Sequence, residues 1–308
     1  MPFGRGFFLA LAKSDFLNHR VTKWGFVRRA TRTFMPGEAP EDAMRACGEL
    51  ATNGRGTIFT KLGEAITSRD EAIAVRDHYL WMFDQIKSKN LPGHISVKPT
   101  QLGLDIEPGM CQTYTEELAA KAQATGSFLW IDMEDSTYVD RTLALYRAVK
   151  TKYAGTGLAM QAYLFRTPKD LQDLMPLKPT IRLVKGAYAE PAHVAFPRKA
   201  DTDRAFYELS DTMLQAASAG NCLPIIGTHD SALVGRIAAR ATELGVKPGQ
   251  FEIHMLYGIK EREQQRLRAE GHTVKTLVSY GNAWFKWYMR RLAERPANVG
   301  FVIRSMLG

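Results

Sequence analysis

A chain of 308 residues, 45% hydrophobic and 24% charged, can bury one large core or two modest ones and has the composition of an ordinary soluble globular enzyme. Its formal net charge is +9, and the excess sits at the ends: residues 1–33 carry Arg5, Lys13, Arg20, Lys23, Arg28, Arg29 and Arg32 against Asp15 alone, and residues 281–308 carry five basic residues against Glu294. No nucleic-acid motif or RNP-like aromatic pattern accompanies these basic ends, which argues against a nucleic-acid partner. A transient contact with an anionic membrane surface stays open beside the plainer reading of solvated basic arms.

The three cysteines, Cys47, Cys111 and Cys222, are far apart and form no CxxC pair, so a reducing compartment suits them better than a disulfide framework. The apolar run after Arg5 covers only residues 7–12 before Lys13 restores charge, too little for a signal peptide. No stretch approaches the roughly 20 apolar residues of a membrane span. A cytoplasmic location is the expectation.

In chain order, residues 1–56 read as helical, with one helix over 14–34 and a second over 41–51 after the break between Pro36 and Pro40. They form an expected N-terminal arm. Short aliphatic or β-branched runs then alternate with longer helical patterns. The runs are TIFTKL at 57–62, HISVKP at 94–99, FLWIDM at 128–133, GLAMQAY at 157–163, TIRLVKG at 180–186, LPIIGT at 223–228, FEIHML at 251–256 and HTVKTLVSY at 272–280. The first is followed by a predicted helix over 69–88, and the last by a terminal helix. Eight β/α units over 57–308 match the size and count of a (β/α)8 barrel, a TIM-like α/β architecture. A doubly wound open sheet is the structural alternative, but it usually carries a GxGxxG turn after an early strand, and none is present.

Barrel enzymes place their chemistry at the C-terminal ends of the strands. Those ends here supply Glu64, Lys98, Asp132 with Glu134, Gln161, Arg182 with Lys185 and Tyr188, Thr228 with His229, His254, and Tyr280. Any one could be a satisfied rim residue. A polar group at every strand is harder to explain structurally, because burying so many is costly unless partners are supplied. HxH, HExxH and paired Cys–His sets are missing, so no metal is expected, and no GxSxG elbow marks an acyl-transfer serine. Lys98 or Lys185 could form a Schiff base, which keeps aldolase or pyridoxal chemistry open. The surplus of cations favours a larger anionic occupant, such as a dinucleotide carrying a redox ring and a pyrophosphate.

The terminal helix adds the other half of a site. From Tyr280 it reads YGNAWFKWYMRRLAERPAN, with Arg290 and Arg291 one turn before Glu294 and with Trp284, Trp287 and Tyr288 ahead of them. Guanidinium forks grip a carboxylate in a bidentate manner that lysine cannot reproduce. Rings one turn away can wall a small ligand, because positions three and four apart share a helix face. The plain alternative is an amphipathic helix whose arginines are solvated and paired with Glu294.

The strings ISVKPTQLGLD, LWIDMED, MQAYLFRT, IRLVKGAYAEP, THD and YGxxW…RRLAER, in this order, resemble the FAD-dependent proline dehydrogenase family, above all its small monofunctional bacterial members. The similarity runs over 57–308 and more loosely through the arm. It implies a distorted (β/α)8 barrel, noncovalent FAD, hydride transfer from L-proline to flavin N5 yielding Δ1-pyrroline-5-carboxylate, and electrons leaving to a membrane quinone.

By motif, the resemblance makes Arg290 and Arg291 the clamp on the substrate carboxylate, with Lys98 the cation near that carboxylate and the flavin. Glu64 becomes the acid that pairs with a terminal-helix arginine. Arg182 stands beside flavin N5 and Gln161 contacts the ring. Lys185, Gly186, Thr228 and His229 hold the rest of the cofactor. Asp132 lies behind the substrate pocket with Tyr188 next to it, and Leu256, Leu277, Trp287 and Glu294 line the pocket.

Two positions depart from the family pattern. Leu277 and Trp287 stand where family members place tyrosines against the substrate ring. A changed apolar contact shifts selectivity by about 1–3 kcal/mol. A different cyclic secondary amine or a modified proline is therefore the alternative substrate. A barrel kept only as a binding module would predict no flavin at all.

Overall fold

The computed structural model describes residues 34–63 and 66–284. Eight parallel strands close on themselves in sequence order: β1 (Gly56–Lys61), β2 (Gly93–Val97), β3 (Leu129–Ile131), β4 (Thr156–Gln161), β5 (Thr180–Val184), β6 (Leu223–Gly227), β7 (Glu252–Leu256) and β8 (Thr273–Tyr280). The pairing of β8 with β1, Leu277 opposite Ile58, completes the (β/α)8 barrel.

Helix α1 (Pro40–Thr52) precedes the barrel, with proline at its first turn, where the missing N–H costs nothing. It packs on β1 and β8, so a helix from before the first strand covers that part of the wall. The helices that follow successive strands are α2 (Arg69–Ser88), α3 (Pro108–Thr125), α4 (Val139–Lys152), α5 (Thr167–Leu174), α6 (Lys199–Ser218), α7 (Ser231–Glu243) and α8 (Glu261–Ala269). The expected helix over 69–88 is matched residue for residue. A capping box explains its sharp start, since Ser68 accepts from the Glu71 N–H and Glu71 reaches back to the Ser68 N–H. The predicted helix at 14–34 and the terminal helix lie outside the described residues, apart from their edges at Phe34 and Trp284.

Strand alternation divides the apolar residues between two cores. Phe59, Ile95, Ile131, Leu183 and Ile253 belong to the large cluster that includes the buried faces of the helices, for instance Tyr79, Met82, Phe83 and Ile86 of α2. Their neighbours along the strands point into the barrel, where Ile58, Trp130 and Ile225 form a small separate plug edged by Phe128, Leu223 and Leu277. Each such fully buried side chain contributes roughly 1.5–3 kcal/mol. Trp130 of this plug meets polar groups of two layers: its Nε1–H donates to His94 in a lower one, and the Arg182 guanidinium lies over its ring in an upper one, nearer the C-terminal ends of the strands.

Candidate active site

The upper layer is organised by Arg182, an inward-facing residue of β5. Its Nη2 donates to Ser96 Oγ at 3.0 Å and to Asp132 Oδ1, while Ser96 Oγ itself donates to Asp132 Oδ1 at 2.9 Å. The guanidinium carbon lies 4.9 Å from the centre of the Trp130 ring, one pleat below Asp132 on the same strand face. Burial pulls the Arg182 guanidinium below its usual range, and the Asp132 carboxylate opposes that pull.

Arg182 Nη1 and Gln161 Oε1 are buried and have no hydrogen-bond partner among the described residues. A donor and an acceptor left buried in this way are costly unless something completes them. Gln161, the last residue of β4, is held with its amide nitrogen on the Glu134 carbonyl at 3.1 Å, which leaves its oxygen for another donor.

The loops above the strands are stitched to one another. The Glu134 carboxylate accepts from the Thr100 N–H at 3.0 Å and from Thr100 Oγ1 at 2.7 Å, tying the loop after β3 to the turn that starts at Lys98. Gln101 donates to the carbonyls of Lys61 at 3.1 Å and Gly63 at 2.7 Å, fixing the exit of β1. Ser136 donates to Glu190 through its N–H at 2.7 Å and its hydroxyl at 2.5 Å, which anchors the segment after β5 that carries Tyr188.

Gly186 has φ +122, and a Cβ there would lie 2.3 Å from the Tyr163 ring, so only glycine fits this approach. Lys185 Nζ sits between Asp203 at 2.5 Å and Asp230 at 2.9 Å. Burial alone would raise both carboxyls, but the hydrogen bond from Lys185 helps to hold each below its usual range. His229 Nε2 accepts the Leu256 N–H at 2.8 Å, which assigns the proton of the neutral ring to Nδ1. Thr228 Oγ1 accepts the Asp230 N–H at 3.2 Å.

Lys98, Asp132, Gln161, Lys185, Gly186, Tyr188, Thr228, His229 and Leu256 therefore occupy the ends of β2 to β7 or the loops beyond them. Leu277 lies lower on β8, half-buried against the apolar plug. Glu64, Trp287, Arg290, Arg291 and Glu294 lie outside the described residues.

His254 belongs to the lower layer rather than the rim. It sits in mid-β7 with Nε2 on Glu252 at 2.9 Å, and Glu252 also accepts from Lys275 at 2.6 Å. Two residues of strand above it move the rim up to Leu256. Burial drives His254 down to about 4 against the pull of Glu252; Glu252 falls to about 2 because His254 and Lys275 outweigh its burial.

Ser96 and Trp130 were not singled out from the sequence. The signal lay in the alternation of β2, where His94, Ser96 and Lys98 share one face, and of β3, where Trp130 and Asp132 do.

A flavin ring would fit these residues: the donor of Arg182 and the acceptor of Gln161 that find no partner among the described residues match a ring that carries both acceptors and an N–H donor.

The family model described as "Proline dehydrogenase" matches residues 43–304. The chain is 35% identical over 303 residues to "Proline dehydrogenase 1" of Bacillus subtilis (strain 168), covering 98% of this chain and 99% of that one. It is 33% identical over 293 residues to "Proline dehydrogenase" of Deinococcus radiodurans, covering 94% and 92%. Among solved structures, proline utilization A from Bdellovibrio bacteriovorus shares the fold with a TM-score of 0.81 at 21% identity, over 87% of this chain and 33% of that much longer one. By its sequence, the chain belongs to the proline dehydrogenase family.

Proposed function

We propose that the chain oxidises L-proline to Δ1-pyrroline-5-carboxylate, the first step of proline catabolism, with FAD as its cofactor. The observation that carries the cofactor reading is the pair of buried atoms, Arg182 Nη1 and Gln161 Oε1, which find no hydrogen-bond partner among the described residues. The chemistry FAD would supply is an acceptor for the electron pair and hydrogen that leave proline C5.

The chain's own residues bind and orient. Lys98, Arg290 and Arg291 hold the substrate carboxylate, and Glu64 and Glu294 balance the arginines. Fixing the substrate in this way replaces a chance encounter by a held geometry. The same cations favour the neutral form of the proline amine, whose lone pair must be available for the imine to form. Asp132 serves as counter-ion and anchor to Arg182 rather than as a base, since its Oδ1 is already engaged by Arg182 and Ser96. Lys185, Gly186, Thr228 and His229 hold the remainder of the cofactor; Tyr188, Leu256, Leu277 and Trp287 shape the pocket beside the substrate.

Electrons leave to a quinone or another membrane acceptor, reached by a peripheral contact of the basic ends with the cytoplasmic membrane face. No helix among the described residues is long and apolar enough to cross a membrane.

A second reading is supported by Leu277 and Trp287, which depart from the tyrosines of the family pattern. It keeps FAD and the arginine clamp and takes a different cyclic secondary amine or a modified proline. Acid extraction of the purified protein, followed by mass analysis of the cofactor and trapping of the imine formed from a panel of cyclic amino acids, tests both. FAD in the extract and proline as the best substrate by far support the first reading. A better substrate elsewhere in the panel supports the second, and an extract without FAD that cannot be reconstituted overturns both.

A further inference from the structure

Arg182 does not hold its own position. Among the described residues its guanidinium is hydrogen-bonded through Nη2, to Ser96 and Asp132, and a fork held at that end could pivot about it. What blocks the pivot is the Trp130 ring, 4.9 Å beneath the guanidinium carbon. Trp130 is itself fixed on several sides. Its Nε1–H donates to His94 Nδ1 at 3.3 Å, its ring meets the edge of His254 at 5.3 Å between centroids, and it packs with Ile58 and Ile225.

The neighbouring strand is shaped to admit this ring. Gly157 of β4 is the register partner of Trp130, and a Cβ on Gly157 would lie 2.5 Å from the indole Cζ3. Gly157 is thus the complement of Trp130, and the two form one device.

We propose that Trp130, seated against Gly157, is a positioning residue for the cofactor: the indole face fixes the guanidinium plane of Arg182 so that Nη1 is presented to the redox ring, and in doing so it sets the ring's reduction potential. The inference rests on the flavin reading above. The physical reason is that a cation held beside the N1–N5 edge favours the reduced, anionic ring, and its effect depends on distance and orientation. An aromatic face beneath a buried guanidinium attracts it and, unlike a second carboxylate, leaves the cation's charge uncancelled. Ser96 and Asp132 fix one end of the fork, and Trp130 fixes its tilt.

The test compares holoenzyme carrying Trp130→Leu or Gly157→Ala with the unchanged protein. Trp130→Leu removes the face. Gly157→Ala keeps the indole but pushes it out of its seat. The readouts are the two-electron reduction potential of the bound flavin by dye equilibration, the FAD dissociation constant and the melting temperature.

The proposal expects both variants to retain flavin and to shift the reduced-to-oxidised ratio at least tenfold toward the oxidised form, about 30 mV for a two-electron couple. A purely packing role for Trp130 would lower the melting temperature and leave the potential where it was, and that result overturns the proposal. Should Trp130→Leu fail to fold, Gly157→Ala decides alone by the same criterion. A wild-type protein that takes up no FAD removes the flavin reading instead. A flavin potential that moves with Arg182→Met but not with Trp130→Leu or Gly157→Ala removes only the role given to Trp130.

Discussion

Asp132 and Arg182 form the central charge pair of the barrel's upper layer, with side-chain exposures of 19% and 7%. Asp132→Asn keeps the shape of the acceptor and deletes its charge, leaving Arg182 as a buried cation whose remaining partners are neutral. Two unit charges about 4 Å apart attract by about 4 kcal/mol at an effective dielectric constant of about 20. Removing one partner of a buried pair costs about 3–5 kcal/mol. The retained amide oxygen still accepts a hydrogen bond, so the lower end, about 3 kcal/mol, is the expected loss. For a chain of this size that corresponds to a fall in Tm on the order of 5–10 °C. Arg182→Met removes the cation and leaves Asp132 buried with Ser96, and the double variant Asp132→Asn/Arg182→Met removes both charges together. Thermal unfolding of the four apoproteins closes the cycle. The double variant should be no worse than the poorer single one, a coupling of roughly 2–3 kcal/mol. Additive losses, or a Tm for Asp132→Asn within about 1 °C of the parent, would refute the reasoning.

Gly186→Ala forces a methyl into the Tyr163 ring at a positive φ, so a loss of roughly 1–3 kcal/mol and weaker FAD binding are expected by melting and cofactor titration. His94 and His254 are held neutral inside the barrel, lowered by burial to about 3 and about 4. For a lowered histidine the unfolded chain binds the proton first, so stability is full above about pH 6.5 and falls on acidification toward pH 4. The slope approaches about 2–3 kcal/mol per pH unit for the two together. Denaturant unfolding across that range should show it, and a flat profile contradicts the neutral assignment. Glu252, lowered to about 2, adds a loss at lower pH, between its ordinary value near 4.5 and about 2; Glu252→Gln should remove that part of the acid dependence. Arg290→Met and Arg291→Met should each raise the KM for proline sharply while FAD stays bound; loss of flavin with substrate affinity intact would reverse the role assigned to the pair.

Most of the fold was legible because its signal is local. Each strand is a short aliphatic run, and every observed strand overlaps a predicted one: β1, β2 and β4 start one residue earlier than expected, and most of the rest are trimmed at an end, as where FLWIDM shrinks to Leu129–Ile131. The trimming has a cause: Met133 and Glu134 leave the ladder to form the loop that Thr100 fastens. The rim residues were legible by position and by motif. Their partners were not, because they come from far along the chain. Asp203 on α6 reaches Lys185 across 18 residues, and Ser96 reaches Asp132 across 36 and Arg182 across 86.

The lower layer was hidden for a different reason. Glu252, His254 and Lys275 look like ordinary strand-edge polars, and it is the register of β7 with β8, where His254 stands opposite Lys275 and Glu252 two residues earlier on the same face, that brings them together. His254 was placed at the rim for want of that register.

If this barrel holds a flavin which L-proline reduces, anaerobic titration of the purified protein with L-proline, followed by visible absorbance, shows it directly. Flavin bands that bleach to completion with stoichiometric imine are the predicted result. Flavin bands that persist at saturating L-proline contradict it.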